Sequence, residues 1–248
     1  MSNGTASASS TERTLLVFQG GFGLPSISPF STKAMILLHM AGLDHTLKVA
    51  NPTKAPKKKL PVLLDGNRTV PDSHFIRLHV EKEYGVDFDR TLDKGERAAA
   101  TAFTALVEDR LYWIALMERW AYEENRASLA QTFDNVPAPL RGLVVRAVRG
   151  SILRSARAQG VGRHSREEAL TIGQGVIDAL ATQLGEKPFL MGADPTSVDA
   201  SAYSMLIGCR ADGFETRLRA MIEAHPTLVA YCERMKKHFP LEAAVTGT

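Results

Sequence analysis

Serine residues stand at the start of a predicted helix, in the segment Ser28-Pro29-Phe30-Ser31. Apolar residues recur at helical spacing from Pro29 onward, and proline is favoured in the first turn of a helix. The positive end of the helix dipole and the unpaired backbone N–H groups there favour an anion. The Ser28 hydroxyl could therefore donate a hydrogen bond to a bound anion, or it could serve only as a helix cap. Ser26, two residues earlier, is the alternative donor.

Two further pairs of residues could bind a ligand near that helix. Leu60-Pro61 precedes a predicted strand, where a proline either adopts the cis form or simply opens the strand. Asp72-Ser73 stands at the start of a second predicted helix, which suits a carboxylate ligand and also suits ordinary capping. Each pair is a weak signal by itself, whereas their order and spacing along the chain are informative.

Two other kinds of site are disfavoured by the spacing of their residues. Gly21 and Gly23 follow a strand, but Ser26 stands where a dinucleotide-binding loop needs its third glycine. His74 and His79 are five residues apart, and a helical metal pair needs a separation of four. We therefore expect neither a nucleotide cofactor nor a metal.

The elements that would position these residues differ between the two halves of the chain. Residues 13–86 are short segments broken by Gly and Pro, and they predict the order strand, helix, strand, loop, hairpin, helix. The apolar run Leu15–Phe18 predicts a buried first strand, and Thr46–Val49 predicts a second. The Asp-Gly turn at Gly66 lies between two β-like runs and predicts a hairpin.

Residues 95–240 are predicted to form a helical second domain. Apolar residues step by three and four along Phe103–Ala121, which predicts one long helix, and another is predicted to end near Gln159. Capping boxes at Ser165–Glu168 and Thr196–Asp199 each precede a further helical pattern. We interpret Asp199 as a structural cap rather than a catalytic acid.

Composition excludes several classes of protein. The 248 residues include 23% charged and 44% hydrophobic residues, which is typical of a soluble globular protein, and no apolar run is long enough to span a membrane. The net charge of +3 is too balanced for a protein that coats nucleic acid. Two cysteines form no disulfide framework, so we expect a cytoplasmic location. Residues 1–12 carry no secretory signal and are predicted to be a disordered tail.

Taken together, the three segments resemble the glutathione transferase family over roughly residues 14–239. Ser28-Pro29-Phe30-Ser31 is similar to the Cys-Pro-x-Cys motif of thioredoxin-type proteins with serine at both cysteine positions, which excludes dithiol exchange. Lys59-Leu60-Pro61-Val62-Leu63 resembles the cis-proline motif of the family, and Asp72-Ser73 resembles its acidic-or-Gln-then-Ser motif. Ser28-Pro29-Phe30 and the stretch Gln159–His164 are similar to the branch of failed axon connections proteins and metaxins.

The resemblance implies an α/β plus all-α architecture, in which a thioredoxin-like N-terminal domain precedes a helical C-terminal domain. It implies a glutathione transferase that adds the thiolate of glutathione, as co-substrate, to a small hydrophobic electrophile. Ser28 would be the catalytic residue that stabilises the thiolate. Lys59, Leu60 and Pro61 would bind the glycyl and cysteinyl parts of glutathione, and Asp72 with Ser73 would hold its γ-glutamyl end.

The resemblance also leaves a second function open and implies an assembly. Metaxin-like relatives imply a non-catalytic binding or scaffold protein that keeps the fold. Relatives in the family usually form two-fold homodimers, and we expect apolar surface around Tyr112, Trp113 and Trp120 to support one here.

Overall fold

The computed structural model describes residues 12–134 and 136–245. The predicted N-terminal tail lies outside these residues except for Glu12, so the prediction of disorder stays a prediction.

A four-stranded sheet forms the centre of the first half of the chain. Its strands are β1 (Arg13–Val17), β2 (Thr46–Val49), β3 (Val62–Asp65) and β4 (Arg68–Pro71), in the spatial order β2-β1-β3-β4. β1 pairs in parallel with β2 and antiparallel with β3, and the two-residue turn at Gly66, with a φ of 57°, joins β3 to β4. The predicted strands and hairpin are confirmed.

Two helices flank this sheet. They are α1 (Pro29–Met40) and α2 (Ser73–Tyr84), and two short 3₁₀ turns, Pro52–Lys54 and Pro56–Lys58, occupy the loop between β2 and β3. Every residue from Ser31 to Leu38 in α1 is buried, because α1 packs against α2 and against a helix of the second half, Ser197–Cys209, and shares one apolar core with β1 and β3. A helix covered on all sides has no polar face to display.

The second half contains helices only, as its periodicity predicts. They are α3 (Lys94–Ala105), α4 (Tyr112–Trp120), α5 (Arg126–Gln131), α6 (Ala138–Gln159), α7 (Arg166–Leu184), α8 (Ser197–Cys209), α9 (Arg217–Glu223) and α10 (Pro226–His238). The predicted thioredoxin-like and helical architecture is confirmed. Capping boxes at Asp93–Glu96 and Ser165–Glu168 begin α3 and α7. The sequence does not predict α5 and α9, because six or seven residues are too few to establish a helical period.

The long helix predicted over residues 103–121 contains an irregularity. A π segment (Leu106–Leu111) separates α3 from α4, and its Glu108 accepts hydrogen bonds from Lys33 Nζ at 2.6 Å and Ser201 Oγ at 2.7 Å. Lys33 lies on α1 and Ser201 on α8, so this carboxylate ties the two halves of the chain together. An inserted π turn shifts the helix register by only one residue, which is why the apolar spacing does not reveal it.

The aromatic side chains predicted to supply apolar surface for a homodimer are partly covered within the chain itself, and the homodimer stays a prediction. Trp120 is only 9% exposed and belongs to a small core cluster with Leu129 and Phe214. The Tyr112 ring packs edge-on against Phe30 at 4.9 Å, and Trp113 is half-buried. The large apolar side chains that are exposed to solvent include Phe75 and Leu78 on α2 and Leu140 and Leu143 on α6.

Across both described stretches of the chain, no helix combines the length and the hydropathy required to cross a bilayer.

Candidate functional site

Ser28 occupies the N-terminal cap position of α1, but its side chain makes no capping hydrogen bond. Its backbone carbonyl accepts from the amides of Ser31 and Thr32, which fixes the start of the helix without the hydroxyl. The first turn of α1 carries no acidic side chain, so nothing there neutralises the positive end of the helix dipole. The hydroxyl is therefore available for a ligand, and the interpretation of Ser28 as only a side-chain cap does not hold.

The two neighbouring serines are engaged inside the fold. Ser26 is 1% exposed, and its hydroxyl donates to the carbonyl of Phe18 at 2.8 Å. The Ser31 hydroxyl is also buried and accepts from the Phe18 amide at 3.5 Å. Both side chains anchor the N-terminus of α1 to the end of β1, whereas Ser28 lines a cavity. This geometry favours Ser28 over Ser26 as the thiolate donor.

Leu60-Pro61 and Asp72-Ser73 are in direct contact beside the end of β1. The Leu60–Pro61 peptide bond is cis, and the Asp72 amide donates to the Pro61 carbonyl at 3.0 Å. Val62, the residue after Pro61, pairs with Leu16 in β1 and with Pro71 in β4. The segments Leu60-Pro61 and Asp72-Ser73 therefore lie at the end of the sheet where β1 leads toward α1. Among the described residues, none hydrogen-bonds the Leu60 amide.

Asp72 and Ser73 form the beginning of α2. Asp72 caps the helix by accepting from the His74 amide at 2.9 Å, and its φ of 83° is unusual for a residue other than glycine. Such strained backbone is concentrated at ligand-binding positions. Ser73 is 3% exposed, and no described residue hydrogen-bonds its hydroxyl. A carboxylate at this helix end would meet that hydroxyl and the free backbone N–H groups of the first turn.

Lys59 differs from the other predicted site residues because it is exposed to solvent. Its side chain is exposed, as are those of Lys57 and Lys58, and Lys57 lies over the ring of Phe75 at 4.5 Å. An exposed lysine can reach a carboxylate only at the open rim of the site. Its predicted contact with glutathione stays a prediction.

A cavity of about 690 Å³ opens beside Ser28, between the sheet and the helices of the second half. Most of its wall is apolar, and the wall includes Phe18, Phe22, Leu116, Trp120, Val148 and Phe214. Of the predicted site residues, only Ser28 lines it. The other five lie at or near the end of the sheet where β1 leads toward α1. The arrangement therefore provides one region that could bind a polar ligand and an apolar chamber that Ser28 lines.

Two titratable side chains line this cavity, and the sequence does not predict either as a site residue. Tyr112 and Arg119 both line it, and they are seven residues apart on one face of α4. Burial raises the pKa of the Tyr112 phenol above its usual value, although the charge of Arg119 acts in the opposite direction. A spacing of seven is visible in the sequence, but nothing in it indicates that this face borders a cavity. Trp120, expected to supply surface for a homodimer, lines the cavity and belongs to the small core cluster.

A second cavity of about 510 Å³ lies behind the Gly-rich loop and contains none of the predicted site residues. Cys232 lines it, and burial raises the pKa of both Cys232 and Cys209 to about 12. Both are therefore protonated thiols at neutral pH and are poor nucleophiles. Within the described ranges, no group of three or more His, Cys, Asp or Glu side chains could hold a metal ion.

Comparison with known proteins agrees with this geometry. A family model described as the glutathione S-transferase N-terminal domain matches residues 29–125, and one described as the glutathione S-transferase C-terminal domain matches residues 173–235. Among solved structures, a glutathione S-transferase of Methylobacterium radiotolerans in complex with glutathione sulfonate superposes with a TM-score of 0.62 and 20% identity. That superposition covers 96% of this chain and 98% of the other, and at this identity it supports the fold alone.

Curated relatives include both an enzyme and proteins of other names. Isoprene-epoxide–glutathione S-transferase of Rhodococcus sp. strain AD45 is 31% identical over 92% of this chain and 99% of its own length. Failed axon connections of Drosophila melanogaster is 27% identical over 88% of this chain and 56% of its own length. Mouse metaxin-2 is 24% identical over 75% of this chain and 71% of its own. The chain belongs to the glutathione S-transferase superfamily and resembles its failed axon connections and metaxin branch.

Proposed function

We propose that the protein is a glutathione transferase that adds the thiolate of glutathione to a small apolar electrophile. The observation that carries this proposal is the free Ser28 hydroxyl at the start of α1, which faces the apolar cavity. Glutathione would lie along the edge formed by Leu60-Pro61 and Asp72-Ser73, where its cysteinyl part would meet the unpaired Leu60 amide. Its sulfur would then sit between Ser28 and the chamber that holds the electrophile.

The chemistry required of the protein is to keep the thiol deprotonated. A free cysteine thiol has a pKa near 8.5, so only a few per cent is thiolate at neutral pH. A hydrogen bond from Ser28 and the positive end of α1 both stabilise the anion and lower that pKa. No residue has to act as the base that keeps the thiol proton, because this proton passes to solvent when glutathione binds.

The apolar wall of the cavity favours an electrophile with little polar surface. The name of the Rhodococcus relative includes an epoxide as its substrate. We therefore propose small epoxides as the first class of electrophile to assay with this protein.

Replacing Ser28 by alanine is expected to raise the pKa of bound glutathione by about one unit, equivalent to about 1.4 kcal/mol. The shift is partial because the helix dipole remains in the variant. Glutathione affinity is expected to stay nearly unchanged, because the thiol contributes little to binding. The absorbance of the bound thiolate, measured against pH, gives this pKa directly.

The matched controls are Ser26→Ala and Ser31→Ala, which remove hydroxyls that serve the fold. We expect both to lower thermal stability and to leave the thiol pKa where it is in the wild type. If Ser26→Ala moved the titration while Ser28→Ala did not, the thiolate donor would be Ser26.

The alternative function is a binding or scaffold protein that keeps the fold without catalysis, and the similarity to metaxins favours it. Calorimetric titration with glutathione and an assay of thiol consumption separate the two. The enzyme requires both glutathione binding and conjugation of an electrophile. Absence of glutathione binding would favour the scaffold.

We also propose a cytoplasmic, two-fold homodimer. In place of the helix around Trp113, the exposed Phe75 and Leu78 on α2 supply apolar surface for such a contact. Light scattering at micromolar concentration is expected to give twice the chain mass of 27.0 kDa. A particle of 27.0 kDa would contradict the proposal.

A further inference from the structure

Arg119 places a positive charge on the wall of the cavity beside Ser28, and none of the described residues that line the cavity is acidic. Its Nη1 donates to the Ile27 carbonyl at 3.4 Å, its Nη2 donates to the Gly208 carbonyl, and the guanidinium lies over the Phe214 ring at 4.7 Å. Within the described ranges it forms no ion pair. By contrast, Arg166 is held by the carboxylates of both Glu118 and Glu124.

The surroundings of Arg119 leave most of its charge uncompensated. Gly208 belongs to the last turn of α8, and the C-terminal end of a helix contributes only about half of a negative charge. Enclosure by protein lowers the pKa of Arg119 below its usual value, yet a guanidinium stays charged at neutral pH. A charge taken out of water in this way is costly unless an anion or a strong acceptor joins it.

The donors of Arg119 also remain partly unused. A guanidinium carries five N–H donors, and the two backbone carbonyls engage two of them. The carbonyl that fixes Nη1 belongs to Ile27, and consecutive α-carbons lie about 3.8 Å apart, so Arg119 is anchored one residue away from Ser28. A sulfur at Ser28 and an oxygen at Arg119 would lie on the same wall of the cavity.

We propose that Arg119 binds the oxygen of the electrophile and makes small epoxides the preferred substrate class. This inference rests on the proposed transferase function. In an epoxide the attacked carbon and the leaving oxygen are neighbours, which matches a thiolate site and an oxygen site on one wall. The apolar remainder of the substrate would occupy the side of the chamber formed by Leu116, Trp120 and Val148.

The step is a balanced addition. The glutathione sulfur attacks a ring carbon, a C–S bond forms, the C–O bond breaks, and its electron pair stays on the oxygen. Arg119 donates hydrogen bonds to the alkoxide as the negative charge develops, which is where fixed donors accelerate a reaction most. Water then protonates the alkoxide, returning the proton that the thiol released to solvent. The product is a β-hydroxy thioether of glutathione.

The test compares two electrophiles of equal chain length, 1,2-epoxyhexane and 1-iodohexane, in the wild type, Arg119→Met and Arg119→Lys. Iodide leaves as a large, weakly hydrogen-bonded anion and needs little help from a donor. We expect Arg119→Met to lower the epoxide-to-iodide ratio of kcat/KM by about 100-fold, the typical effect of losing one oxyanion donor. Arg119→Lys keeps the charge without the planar fork, and the ratio should recover in part.

Ser28→Ala is the control, because it weakens the thiolate and should lower both rates by the same factor. If the two Arg119 variants also lowered both rates equally, Arg119 would be only a structural tie between Ile27 and Gly208, and the proposal would be overturned. Arg119→Lys retains the buried charge, so this variant decides the outcome if Arg119→Met folds poorly. If the wild type bound glutathione but consumed neither electrophile, the transferase function itself would fail, and the assignment of Arg119 would fail with it.

Discussion

Asp199→Ala is expected to lower the free energy of unfolding by about 3–5 kcal/mol. Asp199 is completely buried, and its carboxylate accepts four hydrogen bonds. Oδ2 accepts from the Thr196 amide at 2.8 Å and the Thr196 hydroxyl at 2.9 Å, while Oδ1 accepts from the Leu190 amide at 2.9 Å and the Tyr231 hydroxyl at 3.0 Å. Alanine would leave the Leu190 amide and both Thr196 donors buried without this acceptor, and the Tyr231 hydroxyl would keep only the backbone carbonyl of residue 199, at 3.3 Å. Chemical denaturation followed by circular dichroism measures the loss.

The matched control for this prediction is Asp194→Ala. Asp194 is exposed and stands five residues earlier in the chain, so its replacement should change stability by less than about 0.5 kcal/mol. A loss at Asp199 no greater than that at Asp194 would contradict the structural role assigned to the carboxylate. Because Asp199 lines neither cavity, glutathione affinity per folded molecule should not change in either variant.

Ser73→Ala is expected to weaken glutathione binding by about 10- to 100-fold, because a hydrogen bond to a charged group contributes about 1.5–3 kcal/mol. The Ser73 hydroxyl makes no hydrogen bond to a described residue and keeps contact with solvent, so its removal should leave the fold and its stability intact. Isothermal titration with glutathione measures the dissociation constant. An unchanged value would mean that Asp72-Ser73 only begins the helix.

Ser197→Ala is the matched control for Ser73→Ala, and we expect it to give the opposite result. Ser197 is also the first residue of its helix and is equally buried, but its hydroxyl donates to Asp89 at 3.0 Å. Its replacement should therefore lower stability and leave glutathione affinity unchanged. The two variants therefore distinguish a serine whose hydroxyl binds a ligand from a serine whose hydroxyl stabilises the fold.

The parts of the site that the sequence predicts depend on local signals. Pro29 marks the start of α1, Gly66 marks the hairpin turn, and Asp72 marks the start of α2, because each of these residue types has a conformational preference that acts within a few residues. The sheet then brings these points together, since β1 and β3 are neighbours and the hairpin returns the chain to the same edge. The identity of the ligand is inferred from the resemblance to a known family and not from these local signals.

The cavity cannot be predicted in the same way. Its wall combines Phe18 at the end of β1, Tyr112 and Arg119 on α4, Val148 on α6 and Phe214 after α8, which come from widely separated parts of the sequence. Apolar periodicity shows that a helix face is covered, but a cavity and a filled core give the same pattern. The same limit explains why the face of α4 is expected to support a dimer and is found to line the chamber.

We expect this protein to bind glutathione and to lower the pKa of its thiol toward neutral pH. The decisive measurement is the thiolate absorbance of glutathione bound to the wild-type protein, recorded from acidic to alkaline pH. We predict a midpoint at least about one unit below the value near 8.5 of a free thiol, because Ser28 and the start of α1 stabilise the anion. If bound glutathione titrates like the free thiol, the protein is not a transferase of this kind, and the alternative function as a scaffold protein is favoured.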